Sequence, residues 1–270
     1  KNELDWVGSP LSLIPQDTIP ILRKQGVLHA APASGTYWFR FNTERSPFQY
    51  SGMRKAFNLA LNRSDIVEHI TQGNQQPALS ILPPSMELHP EGYYLDNQPE
   101  KAKQLYTKTI EENGLTQSDL SSIVLSYINN ERNHTIAQTV QQQWIQALGV
   151  PVTLQAYEGK VALDAVKTGK YQIMLGSWFA DIDDPINFLE VFKSRGNGIN
   201  NTGWENAVYN ELLDKSNVEN DPTKRGKLMA QAEDIIMEAL PVAPLFYNTY
   251  NYVKNEKLQD VRSEEHTSEL

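Results

Sequence analysis

The chain has no cysteine among its 270 residues. That absence excludes disulfides, thiolate nucleophiles and zinc–thiolate sites, and it leaves the redox compartment open. Basic charge is also short. Lys and Arg number 24 against 33 Asp and Glu, for a net charge of −9. No cluster of Lys and Arg supplies the positive footprint that phosphate binding needs, so no nucleic-acid partner is expected. No run of about 18 apolar residues is present, which leaves no candidate membrane span. The opening KNELDWVGSP has neither the basic nor the apolar region of a leader peptide, so a leader is expected to lie outside this chain. Serine nucleophile elbows, phosphate-cradling glycine loops and His-rich metal spacings are missing too, and no cofactor or metal is expected.

What is present is an apolar share of 40%, enough for a core in one large or two ordinary domains. The stretch Tyr171 to Phe192, YQIMLGSWFADIDDPINFLEVF, organises the rest. Tyr171, Ile173 and Leu175 alternate as a buried strand, and Gly176-Ser177 predict a change of direction. Trp178, Phe179, Ala180 and Asp181 then occupy the turn, followed by Asp184-Pro185 as cap and first residue of a short helix, Ile186 to Phe192. A carboxylate beside two aromatics at a strand's carboxyl end sits where open α/β sheets place a ligand. Asp183 and Asp184 read as ordinary turn and cap residues.

In chain order, Leu4 to Ile21 reads as loop and helix, Gly26 to Ala31 as a short strand, and Pro32 to Gly35 as a turn. TYWFRFN, Thr36 to Asn42, alternates aromatic and polar side chains as a strand should. Met53, Ala56, Phe57, Ala60 and Leu61 mark a buried helical face, and a second helix is predicted near Ser64 as N-cap. Helices follow at Pro99 to Asn113, His134 to Leu148 and Lys160 to Thr168, each stopped by a glycine. They alternate with strands Ile123 to Tyr127 and Val150 to Tyr157, and two more, Glu205 to Ser216 and Pro222 to Leu240, precede a closing strand, Val242 to Tyr247. This β-α-β-α-β alternation predicts an α/β fold, a mixed sheet with flanking helices. The last nine residues, RSEEHTSEL, read as the in-frame translation of a sequencing-library adaptor and are set aside as non-native. They hold one Arg and three Glu, so the remainder carries −7.

Several of these stretches, taken together and in order, resemble the extracytoplasmic solute-binding proteins of peptide ABC transporters, the dipeptide and oligopeptide group known as family 5. GTYWFRFNTERSPFQYSGMRKAFNLALNRSDIVEHI is similar to that family's "g.y.l.fN...pF.d..vR.Al.laiDR" signature, with Asn62-Arg63 where Asp-Arg is commoner. QPEKAKQLYTKTIEENG resembles its "pekAk.LL.eaG" helix and TVQQQWIQALGVPVTLQA its "..iq..wk..lGv.v.l" unit. SWFADIDDPINFLE matches the "W.aDy.dP..fl" core, and PVAPLFYNTYNYV the "p.iPl.y" return. The likeness covers nearly the whole chain before residue 262.

The resemblance implies a periplasmic-binding-protein-like lobe of type II, in the large peptide-binding cluster. Residues 36–247 would form a carboxyl-terminal α/β lobe and 1–35 would be a remnant of an amino-terminal lobe. Residues 248–261 would begin the return to that lobe, and 262–270 the non-native tail. The two crossings, near Gly35-Thr36 and Tyr247-Asn248, should be neighbouring strands at one edge of the lobe. The implied ligand is an oligopeptide held as an extended strand between two lobes, its ammonium on Asp181 and its backbone on main-chain groups. Trp178 and Phe179 would wall the site, with Ala180 beside them. His134 falls near a position where some members meet the ligand's carboxylate. Leu175 stands where some members carry an Arg for a short peptide's carboxylate, and Leu cannot serve. Dipeptide, murein-peptide, nickel-chelate, haem and other non-peptide ligands of the family therefore stay open.

The resemblance also implies a non-enzymatic monomer, periplasmic or otherwise extracytoplasmic or lipid-anchored, partnered by a membrane permease. Two other classes deserve weighing. Asp181, Asp183, Asp184 and Glu190 could suggest a glycoside hydrolase's carboxylates, but all lie within ten residues of one another and no second strand offers a partner acid. A chaperone-like or adhesion module could use the same groove.

Overall fold

A computed structural model describes residues 4–258 apart from 10, 13 and 122; the expected non-native tail, 262–270, lies outside the described residues. Among the described residues the chain opens with β1 (Trp6–Gly8), α1 (Ile19–Lys24), β2 (His29–Phe41) and α2 (Ser51–Leu59). A short α3 (Arg63–Asp65) runs into a wider π-helical turn, Ile66–Thr71, and β3 (Gln76–Pro77) follows. Next come α4 (Pro99–Asn113), α5 (Gln117–Leu120), β4 (Ile123–Ile128), α6 (Glu131–Leu148), β5 (Val152–Tyr157), α7 (Gly159–Lys167) and β6 (Ile173–Phe179). The chain continues through α8 (Ile186–Leu189), α9 (Ala207–Val218), α10 (Pro222–Ala239) and β7 (Val242–Lys254).

One mixed sheet, in the order β1-β7-β2-β6-β4-β5 with β3 on β7, carries the fold. β4 runs parallel to β5 and β6, whereas β2 is antiparallel to β6 and β7. Alternation on the strands sorts side chains to two faces. Phe39, Phe41, Ile173, Leu175 and Phe246 face a cluster built with α2, α4 and α6, where Phe57 and Trp144 meet at 4.9 Å between ring centroids. Trp38 and Val242 face a second cluster formed with α8, α9 and α10. A few residues around Met174 pack on α7. Helices on both faces of a largely buried sheet give the mixed α/β lobe expected.

Local chemistry accounts for most boundaries and corrects several. Gly114 and Gly149 end α4 and α6 in the left-handed region, φ 60° and 72°, as their place after each periodic run predicts. α6 begins at Glu131, not at His134, because Asn130 caps it by accepting from the Asn133 N–H at 2.9 Å. The helix expected from Ser64 is capped by Asn62, and the Ser64 hydroxyl donates instead to Asp96 at 3.1 Å. α9 starts two residues late because Asn206 accepts from the Tyr209 N–H at 3.0 Å.

Strands differ more. The two strands expected on either side of Pro32–Gly35 are one strand, β2. The turn residues form an irregularity between Pro32 and Thr36 in its pairing with β7, where a residue lacking an N–H is tolerated. No turn forms at Gly176-Ser177. β2 pairs with β6 through Phe179, so neighbouring backbone overrides the local signal, and the direction changes only after Ala180 has donated its N–H to Ser34. β1 has no alternation long enough to show itself, and β7 runs seven residues past its expected end to pair with it. The two expected crossing strands are direct neighbours, with Thr36 opposite Tyr247. They lie inside the sheet order, since β1 and β3 flank β7, and not at its edge.

Candidate functional site

β4 and β6 are parallel neighbours, so their carboxyl ends emerge on one side of the sheet, and the segments that leave them carry the residues singled out above. Trp178 and Phe179 are the last residues of β6. Trp178 lies opposite Thr36 and Phe179 opposite Gly35. Being consecutive, they face opposite ways. Trp178 turns toward the α8–α10 cluster, half-buried, and its Nε1 donates to Asn187 Oδ1 at 2.9 Å. Phe179 turns to the other face and remains 45% exposed. Its ring lies over Gly35, where an added Cβ would come within 2.6 Å of it. That close approach is why residue 35 has no side chain.

Asp181 follows, exposed, with no hydrogen bond or ion pair among the described residues. It stands between Phe179 and Ile182, which is 51% exposed, so an open carboxylate is set in an apolar rim. Asp183 is exposed as well. Asp184 is occupied: Oδ1 accepts from the Ile186 N–H at 2.9 Å, and Arg225 holds both carboxylate oxygens at 2.7 and 3.0 Å. Partial burial opposes ionisation there, but the Arg225 and Ile186 hydrogen bonds outweigh it and hold the Asp184 carboxyl below its usual range. Three neighbouring acids thus divide into one structural pair and two open groups, of which only Asp181 borders the aromatic.

His134 reaches the same side of the sheet on α6, which follows β4. It is exposed, and its Nδ1 is 2.6 Å from the Tyr127 hydroxyl. Leu175 is 3% exposed and faces the main cluster, so that strand position offers nothing to a ligand. Two cavities open beside β2 and β7 that the sequence reading did not foresee. One, of about 290 Å³, is lined by Ala31, Pro32, Asn248 and Thr249 among others. The second, of about 390 Å³, is lined by Tyr37, Gln75, Arg132, Asn133 and Asn251 among others. Tyr37 was visible as part of an alternating strand, but nothing in the spacing of NNERNH distinguished Arg132 from a surface residue. No group of His, Asp and Glu side chains suited to a metal occurs among the described residues.

Comparison with known proteins gives the family and the fold of the chain. A family model described as bacterial extracellular solute-binding proteins, family 5 middle, matches residues 1–200. The chain is 43% identical over 264 residues to the oligopeptide-binding protein OppA of Bacillus subtilis (strain 168), covering 96% of this chain and 48% of that protein. It is 32% identical over 268 residues to the dipeptide-binding protein DppE of the same organism, with the same two coverages. Among solved structures, the Escherichia coli murein tripeptide binding protein MppA superposes with a TM-score of 0.82 at 25% identity, over 94% of this chain and 50% of that one. The chain spans about half the length of the curated relatives it matches.

Proposed function

We propose, from the premise that this chain belongs to the bacterial extracellular solute-binding proteins of family 5, that it forms one lobe of the peptide-binding component of an ABC importer. Its relatives are named as oligopeptide- and dipeptide-binding proteins. In this reading residues 36–247 are the carboxyl-terminal lobe, 1–35 and 248–261 belong to the amino-terminal lobe, and the ligand lies across the carboxyl ends of β4 and β6. The assembled protein works outside the cytoplasm as a monomer that delivers its ligand to a membrane permease, with no catalytic step.

The observation that carries the reading is Asp181, an open and unpartnered carboxylate beside exposed Phe179 at the end of β6. An ionised carboxylate and a peptide ammonium form a charge-assisted hydrogen bond, roughly twice as strong as a neutral one. Backbone pairing to an extended ligand ignores side-chain identity but also permits sliding by steps of two residues. One ammonium contact fixes the register without reading any side chain. Phe179 supplies an apolar wall, Ala180 lies beside it, and Trp178 braces the turn from the opposite face through Asn187. His134 stands at the neighbouring strand end as a further polar contact.

NMR titration of the chain with a tetrapeptide, free and N-acetylated, tests this. Acetylation should weaken binding about tenfold or more, as should Asp181→Asn toward the free peptide, while Asp183→Asn should leave it within about twofold. Equal binding of the free and acetylated peptides by the wild-type chain would sink the assignment.

A further inference from the structure

Residues 78–93, which follow β3, form a strap that bonds on one side to β2 and β7 and on the other to α10. Toward the strands, the Ser80 N–H donates to the Tyr247 hydroxyl at 3.3 Å, and the Ile81 carbonyl accepts from Thr36 Oγ1 at 2.9 Å. Toward the helix, the Tyr93 hydroxyl donates to Asp234 at 3.1 Å, His89 Nε2 lies 3.3 Å from the same carboxylate, and the Ser80 hydroxyl donates to Glu233 Oε1. That hydroxyl also accepts from the Leu82 N–H at 3.0 Å. One serine therefore closes the turn at 80–82 and ties it to α10.

Glu233 is an unusual anchor for such a turn. It has no exposed surface, and its Oε2 has no partner. The titratable groups around it are His89 and Tyr93 on the strap, Asp234 beside it on α10, Tyr209 on α9 and Tyr247 on β7. Of these only His89 can carry positive charge, and it lies against Asp234. Tyr93 has one hydroxyl proton and gives it to Asp234 as well. Burial pushes the Glu233 carboxyl up to about 7, against the lowering influence of Ser80 and His89. Once ionised it is a carboxylate in an apolar cluster, beside a second acid, and such a charge is relieved by reaching water. α10 is an eighteen-residue helix, whereas 80–82 belongs to no helix or strand, so the turn is the piece that yields. Ile81 and Leu82 are buried and keep the rest of the strap docked.

We propose that Glu233 is a positioning residue that, as a neutral acid, holds the 80–82 turn against Tyr247 and Thr36 and, on ionising, loosens it. The consequence falls on the candidate site. Tyr247 and the strap's Pro84 both line the cavity of about 290 Å³, and Thr36 lies opposite Trp178. The edge that a ligand would meet is thus best ordered in acid and loosens toward neutral pH. This does not depend on what the ligand is.

Amide hydrogen exchange of the chain without ligand, from pH 4.5 to 8, tests the proposal. The Ser80 N–H reports its bond to Tyr247, and the Leu82 N–H reports its bond to the Ser80 hydroxyl. If loosening returns Glu233 from about 7 to its ordinary 4.5, protection of both amides should fall about tenfold per pH unit between about pH 5 and 7 and level off above. Glu233→Gln keeps an acceptor for Ser80 without titrating, so its profile should be flat. His89→Asn should retain the fall. Protection that is independent of pH in the wild-type chain, a fall that persists in Glu233→Gln, or one that vanishes in His89→Asn overturns the proposal. So does protection equal to that of Leu125, at the centre of the β5-β4-β6 ladder, since exchange would then require global unfolding. Should Glu233→Gln fail to fold, the wild-type and His89→Asn profiles decide.

Discussion

Arg63 has no exposed side-chain surface and its guanidinium is held by Asp96 at 3.2 Å, by Asn58 and by the Pro244 carbonyl, which joins the α3 region to β7. Asp96→Ala would strand that charge, and denaturant unfolding should show a loss of about 3–5 kcal/mol. The half-open Asp184–Arg225 pair, with each side chain a little over a quarter exposed, should yield no more than about 1 kcal/mol on Arg225→Ala. Glu233 is a different case. It is fully buried on α10, Ser80 donates to its Oε1, and its Oε2 has no partner. Burial pushes its pKa from 4.5 up to about 7, against the lowering pull of Ser80 and His89. Because the folded state holds this proton more tightly than the unfolded one, the associated stability is complete below about pH 4.5 and is lost as pH rises through about 7. Thermal melts from pH 4.5 to 8 should therefore fall more steeply for the wild-type chain than for Glu233→Gln; parallel curves would contradict this. At this scale the candidate site was legible in part. Asp181 and Phe179 could be singled out because an acid among aromatics at a strand's end is unusual for a turn. Arg132 could not, because the lack of hydrogen-bond partners for its Nε and Nη2 is a property of packing.

Helices announced themselves where a terminal signal bounded a periodic run, a glycine stop at Gly114 and Gly149 and a capped start at Asp221-Pro222. Starts were misplaced wherever an asparagine did the capping: Asn62, Asn130 and Asn206 each accept from a backbone N–H three residues on, and each stands near another polar residue that could have served. Asn130→Ala should cost about 1 kcal/mol by removing that acceptor, measured by denaturant unfolding, with Asn130→Ser retaining most of it. It should also loosen the first turn of α6, where Arg132 and His134 sit. Strand limits were less legible than helix limits. Gly176-Ser177 is a turn by composition and a strand in fact, because hydrogen bonds to β2 are available along its whole length. Pairing of that kind is non-local and leaves no periodic trace in β6 itself. Gly35→Val tests the same contact from the other side. It should displace the Phe179 ring, visible as a change in that ring's NMR shifts, while β2 and β6 remain paired.

For the whole chain, the α/β class and the sequence of elements were readable from alternation alone, whereas the family came from motif order. Its length is about half that of its curated relatives, and in the proposed reading a ligand would be touched from one side only. Calorimetry with one tetrapeptide should then give an affinity at least about a hundredfold weaker for this chain than for B. subtilis OppA, and equal affinities would mean that one lobe holds the ligand alone. β2 and β7, thirteen residues each, cross the proposed lobe boundary side by side, bonded to one another on both flanks of the irregularity between Pro32 and Thr36. Beyond it, Trp6 and His29 stack on Tyr252 at 4.2 and 5.2 Å. Such a pair is mechanically a leaf spring. Its strands cannot slide past one another without breaking the ladder, but the leaf can fold across its width where the ladder is interrupted. The end that carries β1 and α1 should therefore swing like a door about the interruption at residues 33–35, the longer of the two breaks in the β2–β7 ladder, with twisting and shearing suppressed.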